Sequence, residues 1–112
     1  VEVWGDGMAR REFMYAGDLA DAIIWSINKF DELPKYINIG LGVDMTINEY
    51  YKEVAKVIGY TGNFAHDKTK PVGMIRKLVN TDTQIKLGWQ PKTSLEVGLQ
   101  KTYEFYLNEI AK

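Results

Sequence analysis

Thr46-Ile47-Asn48-Glu49 is a helix start in which the Thr hydroxyl and the Glu carboxylate can each satisfy one of the amides a first turn leaves free. Behind it, Ile47, Tyr50, Tyr51, Val54, Val57 and Ile58 hold helical spacing up to Gly59, which predicts an amphipathic helix with one apolar face to bury. The same period recurs at Leu19, Ala22, Ile23, Ser26, Ile27 and Phe30, giving a helix from Asp18 to about Phe30, with Asp18 placed to cap or charge its first turn. A short helix is predicted from near Thr81 to Gly88, where positive φ lets the chain leave and Trp89 fold back as a core anchor. Thr93-Ser94-Leu95-Glu96 reads as a second capping box, ahead of a long final helix marked by Leu95, Leu99, Thr102, Tyr103, Tyr106 and Ile110. Between the helices, Arg10–Tyr15, Tyr36–Gly40 and Asn63–Asp67 read as short strands. The expected fold is mixed α/β, about four helices with three or four short strands.

With 112 residues, 46% of them hydrophobic, the chain suits one small core and not two, and no repeat or linker divides it. A net charge of −1 argues against wrapping nucleic acid, which needs a strong excess of Lys and Arg. No apolar run approaches a membrane span. The absence of cysteine removes disulfides, thiolate zinc sites and cysteine nucleophiles, and fits a cytoplasmic location. Because the chain starts at Val1, inside an apolar triplet, it is expected to be a piece of something longer.

The chemistry concentrates in Val3-Trp4-Gly5-Asp6-Gly7-Met8-Ala9-Arg10-Arg11. An indole can stack on a base or sugar, glycines let backbone pass close by, and a guanidinium offers two parallel donors to a phosphate or ribose. The plainer alternative is a core tryptophan beside an Asp-Gly hairpin turn. Arg10 and Arg11 lie at the start of a strand, so they point to opposite faces and only one is expected to reach a site. Without the tryptophan, either would read as a surface arginine paired with Glu12 or Asp18. A second basic patch, Lys68, Lys70, Arg76 and Lys77, contains no acid and could cooperate with the first or be a solvated loop.

Acid–base and redox signatures are missing. His66, the sole histidine, has no Ser or Cys partner in a motif around it, which leaves it a structural or solvent role. Gly5-x-Gly7 is not a dinucleotide fingerprint, because the third glycine position is Arg10 and no strand-to-helix turn surrounds it. No tyrosine is followed four residues later by lysine, so the Tyr-x-x-x-Lys base pair of dehydrogenases is absent. No metal-ligand cluster is present.

Over nearly its whole length the chain resembles the C-terminal, substrate-binding part of the extended short-chain dehydrogenase/reductases that act on nucleotide sugars. The resemblance rests on Val3-Trp4-Gly5-x-Gly7, Arg11-Glu12-Phe13 to Asp18, Ile37-Asn38-Ile39-Gly40-x-Gly42, Leu87-Gly88-Trp89 and Ser94-Leu95-Glu96 to Gly98-Leu99. Lys70-Pro71-x-Gly73-x-x-Arg76-Lys77, with the Trp-Gly-x-Gly opening, narrows it to the GDP-fucose synthase branch. That resemblance implies a single substrate-binding lobe over residues 1–112, lacking an N-terminal Rossmann cofactor domain. It implies a parent enzyme that uses NADP(H) to epimerise and reduce a GDP-4-keto-6-deoxy sugar, with no cofactor site and no catalytic residue in this chain. Position by position it assigns Trp4, Arg11 and Lys77, and more weakly Arg76, to the nucleotide diphosphate. Val72 stands where the family usually has Asp, and Ala9 where Pro is common, so loop conformation and sugar preference stay open. Its expected partners are a GDP-sugar, the missing cofactor domain and, through an unpaired Tyr36–Gly40 edge and an apolar face, a second copy in a homodimer. The alternatives are a lobe of a UDP- or dTDP-sugar epimerase or dehydratase, and a non-catalytic protein-interaction module.

Overall fold

A computed structural model describes residues 1–111. The order of elements is β1 (Glu2–Trp4), β2 (Arg10–Arg11), α1 (Ala16–Asn28), a 3₁₀ turn (Phe30–Glu32), β3 (Met45–Thr46), α2 (Ile47–Ile58), β4 (Ala65–Asp67), β5 (Arg76–Lys77), α3 (Asp82–Lys86), α4 (Leu95–Phe105) and a wide final turn (Tyr106–Ile110). The mixed α/β class and the four helices agree with the sequence. Two small sheets hold the strands: β1 pairs with β4 in parallel, while β2 lies between antiparallel β3 and parallel β5.

Helix α2 starts as its sequence dictates. Glu49 N–H donates to Thr46 Oγ1 (3.1 Å) and Thr46 N–H donates to Glu49 Oε2 (2.7 Å), closing the capping box. It packs against α4, and its Tyr50 ring stacks on Phe13 with centroids 3.6 Å apart, nearly parallel. The expected box at α4 does not form. Ser94 is the cap, accepting from Val97 N–H (3.3 Å), because the Thr93 hydroxyl is already committed to Asp18 (2.7 Å).

Asp18 therefore does other work than capping its own helix. Buried in the first turn of α1, it accepts from Lys92 N–H, Thr93 N–H and Thr93 Oγ1 at 3.1, 2.9 and 2.7 Å, tying α1 to the segment that launches α4. Trp89 anchors the same corner as expected: it is buried, its Nε1 donates to Asp21 (2.9 Å), and its ring lies 6.4 Å from Trp25.

Tyr36–Gly40 is not a strand, since no described segment pairs with it. Side chains hold it instead. Gly40 N–H donates to Gln84 Oε1 (2.9 Å) and Gln84 Nε2 donates back to Gly40 O (2.8 Å). Glu12 does the same for the next residues: Oε1 accepts from Leu41 and Gly42 N–H (2.9 and 3.0 Å), and Oε2 from Val79 N–H (3.1 Å). The Gln84 amide thus meets at Gly40 the backbone groups that a neighbouring strand would otherwise meet, and Glu12 meets those of the two residues that follow.

The molecule is a slab, 49 × 35 × 18 Å, with a radius of gyration of 16.5 Å. A compact globule of this length has about 13 Å. Among the described residues only Val3, Ala22 and Trp89 are fully buried apolar side chains, while α1 turns Leu19, Ile23, Ile24 and Ile27 outward, with Phe30 beyond it. Among the described residues no helix is long and apolar enough to cross a membrane.

Candidate nucleotide-binding site

Trp4, at the end of β1, is 57% exposed, which excludes the core-tryptophan alternative. Neither is Gly5-Asp6-Gly7 a hairpin turn, because β1 and β2 belong to different sheets. It is a crossing, sealed on both sides. Gly5 (φ 76°) donates its N–H to Asp67 O, and a Cβ there would come within 1.9 Å of Val72 Cγ1. A Cβ on Gly7 (φ 72°) would meet Asn48 Oδ1 at 2.0 Å. Both glycines thus serve close packing against protein in a left-handed conformation.

Asn48, the second residue of α2, braces this crossing. Its N–H donates to Gly7 O (3.0 Å), its Nδ2 to Asp6 O (3.0 Å), and its Oδ1 meets His66 Nε2 (2.7 Å). His66, the middle residue of β4, is spent on this contact.

Beside the crossing lies an open cavity of about 380 Å³, lined by Trp4, Arg11, Tyr51, Pro71 and Val72 among others. Lys70 Nζ stands 5.6 Å from the Trp4 ring centroid, and the indole N–H is fixed by Glu2 (2.9 Å). Arg11 is held from behind by two carbonyls: Nη1 donates to Arg10 O (2.7 Å) and Nη2 to Val72 O (3.4 Å). Neither Glu12 nor Asp18 pairs with it, since both are committed elsewhere. Among the described residues no carboxylate neutralises Arg11. A half-buried guanidinium oriented by neutral groups keeps its full charge for an incoming anion.

The strand register sorts the remaining basic side chains. On parallel β2 and β5, Arg10 stands opposite Arg76 and Arg11 opposite Lys77. Adjacent residues of a strand alternate faces while aligned ones share a face. Lys77 is therefore on the Arg11 face, exposed, and Arg10 and Arg76 are on the other. Those two converge on Asp44, a carboxylate whose side chain is only 2% exposed: Arg10 Nε donates to Oδ1 (2.8 Å) and Arg76 Nε to Oδ2 (2.5 Å). The bond from Arg76 and then that from Arg10 hold the Asp44 carboxyl below the usual aspartate value.

Trp4 and Arg11 thus line one cavity; Lys77 does not line it but stands opposite Arg11 on the ladder, and Arg76 has its Nε committed to Asp44. Asp44, Glu12, Gln84 and Asn48 are positions that reading the sequence missed. Each acts on a residue 29 or more positions away, and no local pattern announces such pairings.

In fold the chain matches a part of the extended short-chain dehydrogenase/reductases, and the profile of the NAD dependent epimerase/dehydratase family matches residues 1–40. In sequence the chain corresponds to the C-terminal third of the GDP-L-fucose and GDP-L-colitose synthases. It is 57% identical over 109 residues to the GDP-L-colitose synthase of Yersinia pseudotuberculosis, covering 97% of this chain and 35% of that protein. It is 46% identical over 112 residues to the GDP-L-fucose synthase of Azorhizobium caulinodans, covering 98% of this chain and 36% of that protein. The solved GDP-mannoheptose C4 reductase of Campylobacter jejuni, with NADP bound, superposes with a TM-score of 0.81 at 35% identity, over 96% of this chain and 34% of that one. The chain spans about a third of the length of the relatives it matches.

Proposed function

We propose that the chain is the GDP-sugar-binding lobe of an NADP(H)-dependent epimerase/reductase and carries no hydride transfer by itself. The observation that supports this best is the pairing, in one cavity, of an exposed indole with a guanidinium that no carboxylate neutralises. Trp4 offers a face for the guanine, Arg11 two parallel donors for the ribose or diphosphate, and Lys77 a point charge for the second phosphate. Arg76 is the lesser contributor, since only its terminal nitrogens remain to face a ligand. The names of the relatives favour a guanine nucleotide over a uracil or thymine one.

In this reading NADP(H) binds to a separate N-terminal domain. That domain would cover the outward apolar residues of α1 and lie along Tyr36–Gly40. The whole would work in the cytoplasm, without nucleic acid or membrane, with a homodimer formed through faces this lobe leaves apolar.

The test is a parallel titration of the chain with GDP, UDP and NADPH, followed by backbone amide shifts. The expected result is that GDP alone moves amides at Trp4, Arg11 and Lys77. Shifts with NADPH at Gly5–Gly7, or an equal response to UDP, would overturn the assignment.

A further inference from the structure

The ladder between β2 and β5 is two residues long, too short to fix its own register. A slip of one residue would move every side chain of β5 to the other face. Lys77 would then leave the Arg11 side. The side chain that bridges the two strands in the observed register is Asp44, just before β3. Its two carboxylate oxygens each take one Nε, from Arg10 on β2 and from Arg76 on β5, and its backbone carbonyl accepts a further bond from Arg10 Nη2 (3.0 Å). A lysine in place of Arg76 lacks the directed Nε–H that closes this bridge, so the sequence Arg76-Lys77 reads in one register only.

We infer that Asp44 is a positioning residue of the nucleotide site, setting Lys77 beside Arg11 by clamping Arg10 and Arg76 on the opposite face of the ladder. The inference rests on the GDP-sugar reading above and assigns a function to a carboxylate that touches no ligand. It also predicts a sign opposite to simple charge counting. Removing an acid and releasing two guanidinium groups should strengthen binding of an anion by field alone. Loss of a positioned lysine should weaken it.

The experiment measures GDP affinity by calorimetry at fixed salt for the chain, Asp44→Asn, Lys77→Ala and the double variant. Amide exchange is followed at Arg10, whose N–H donates to Ile75 O (2.8 Å) across the ladder. The expected result is affinity about tenfold weaker in Asp44→Asn, with Lys77→Ala adding little in that background, because both changes remove one contribution. Arg10→Gln, which leaves Asp44 paired with Arg76 and alters no proposed ligand contact, should weaken GDP in the same direction and speed Arg10 exchange. It serves if Asp44→Asn does not fold. Wild-type chain that fails to bind GDP overturns the reading on which this rests, and the inference with it. Wild-type binding with unchanged or tighter GDP affinity in either folded variant, or full additivity with Lys77→Ala, overturns the inference alone.

Discussion

Gln84 grips Gly40 with both ends of its amide, accepting from the glycine N–H at 2.9 Å and donating to its carbonyl at 2.8 Å, while being only 1% exposed itself. A side chain here does what a strand neighbour does elsewhere, fixing a segment of extended chain by two complementary bonds. Gln84→Ala leaves a buried donor and acceptor unmet and is expected to cost about 2 to 3 kcal/mol. Gln84→Glu is more telling. At neutral pH its carboxylate opposes the Gly40 carbonyl, whereas the protonated acid restores both bonds. Urea melts of the two variants at pH 7 and pH 5 check this: the Glu variant should regain part of its loss on acidification, and the Ala variant should not.

Arg11 is expected to dominate the electrostatic part of nucleotide binding. Truncation to Ala should weaken GDP by roughly 1.5 to 3 kcal/mol, the usual range for hydrogen bonds to a charged group. Arg11→Lys should recover only part, because an ammonium cannot reach Arg10 O and Val72 O while also presenting two parallel donors. Calorimetric titration of both variants with GDP and with inorganic pyrophosphate measures the difference.

Trp4 should separate binding from stability. Its exposed ring contributes little to the core, so Trp4→Ala is expected to change unfolding free energy by no more than about 0.5 kcal/mol. GDP binding should fall by about 1 to 3 kcal/mol if the base stacks on the indole. Trp4→Phe should keep more of it. Fluorescence offers a direct reading, since GDP should quench the solvent-exposed emission in wild type and not in either variant.

Stability should fall away at both ends of the pH scale for identifiable reasons. Asp44 is held below its ordinary value of 3.8 by Arg76 and then Arg10, and Glu49 below 4.5 by the Thr46 backbone and side chain. For Asp18, burial acts to raise the value, and the bonds from Thr93 and Lys92 together outweigh it, leaving it lowered. A carboxyl whose folded value lies below its unfolded one stabilises fully above the unfolded value and loses that contribution as pH falls through the folded one. Acid unfolding should therefore be flat above about pH 5 and steepen below pH 4. At the other end, burial and then the neighbouring Tyr51 raise the Tyr50 phenol above 10.0, so its contribution is complete below pH 10 and lost as pH climbs through the folded value. Circular dichroism against pH, with Asp44→Asn and Tyr50→Phe as controls, should flatten the acid and alkaline limbs respectively.

The helices were legible in the sequence because their signals are local: a 3.6-residue period, a capping box at Thr46 and a glycine at 59 all lie within reach of one another. The alternation rule likewise separated Arg10 from Arg11 before their partners were visible. What could not be read were pairings across the chain. Tyr36–Gly40 has the composition of a strand, yet pairing needs a neighbour, and at Gly40 the sequence supplies a glutamine in its place. Thr93 has the residues of a capping box, but a buried aspartate 75 positions earlier claims its hydroxyl. In the site, Trp4 and Arg11 stood out by chemical type, whereas Asp44, lacking any motif, emerged only with the ladder it holds.

An 18 Å slab has almost no interior to hydrate when it comes apart. Unfolding such a molecule exposes little new apolar surface, so its heat-capacity increment and denaturant slope per residue should be small and its transition broad. Anything that covers the outward face of α1 adds that missing surface to the same cooperative event. The sharpness of the melting curve, more than its midpoint, then reports whether the face has found its cover.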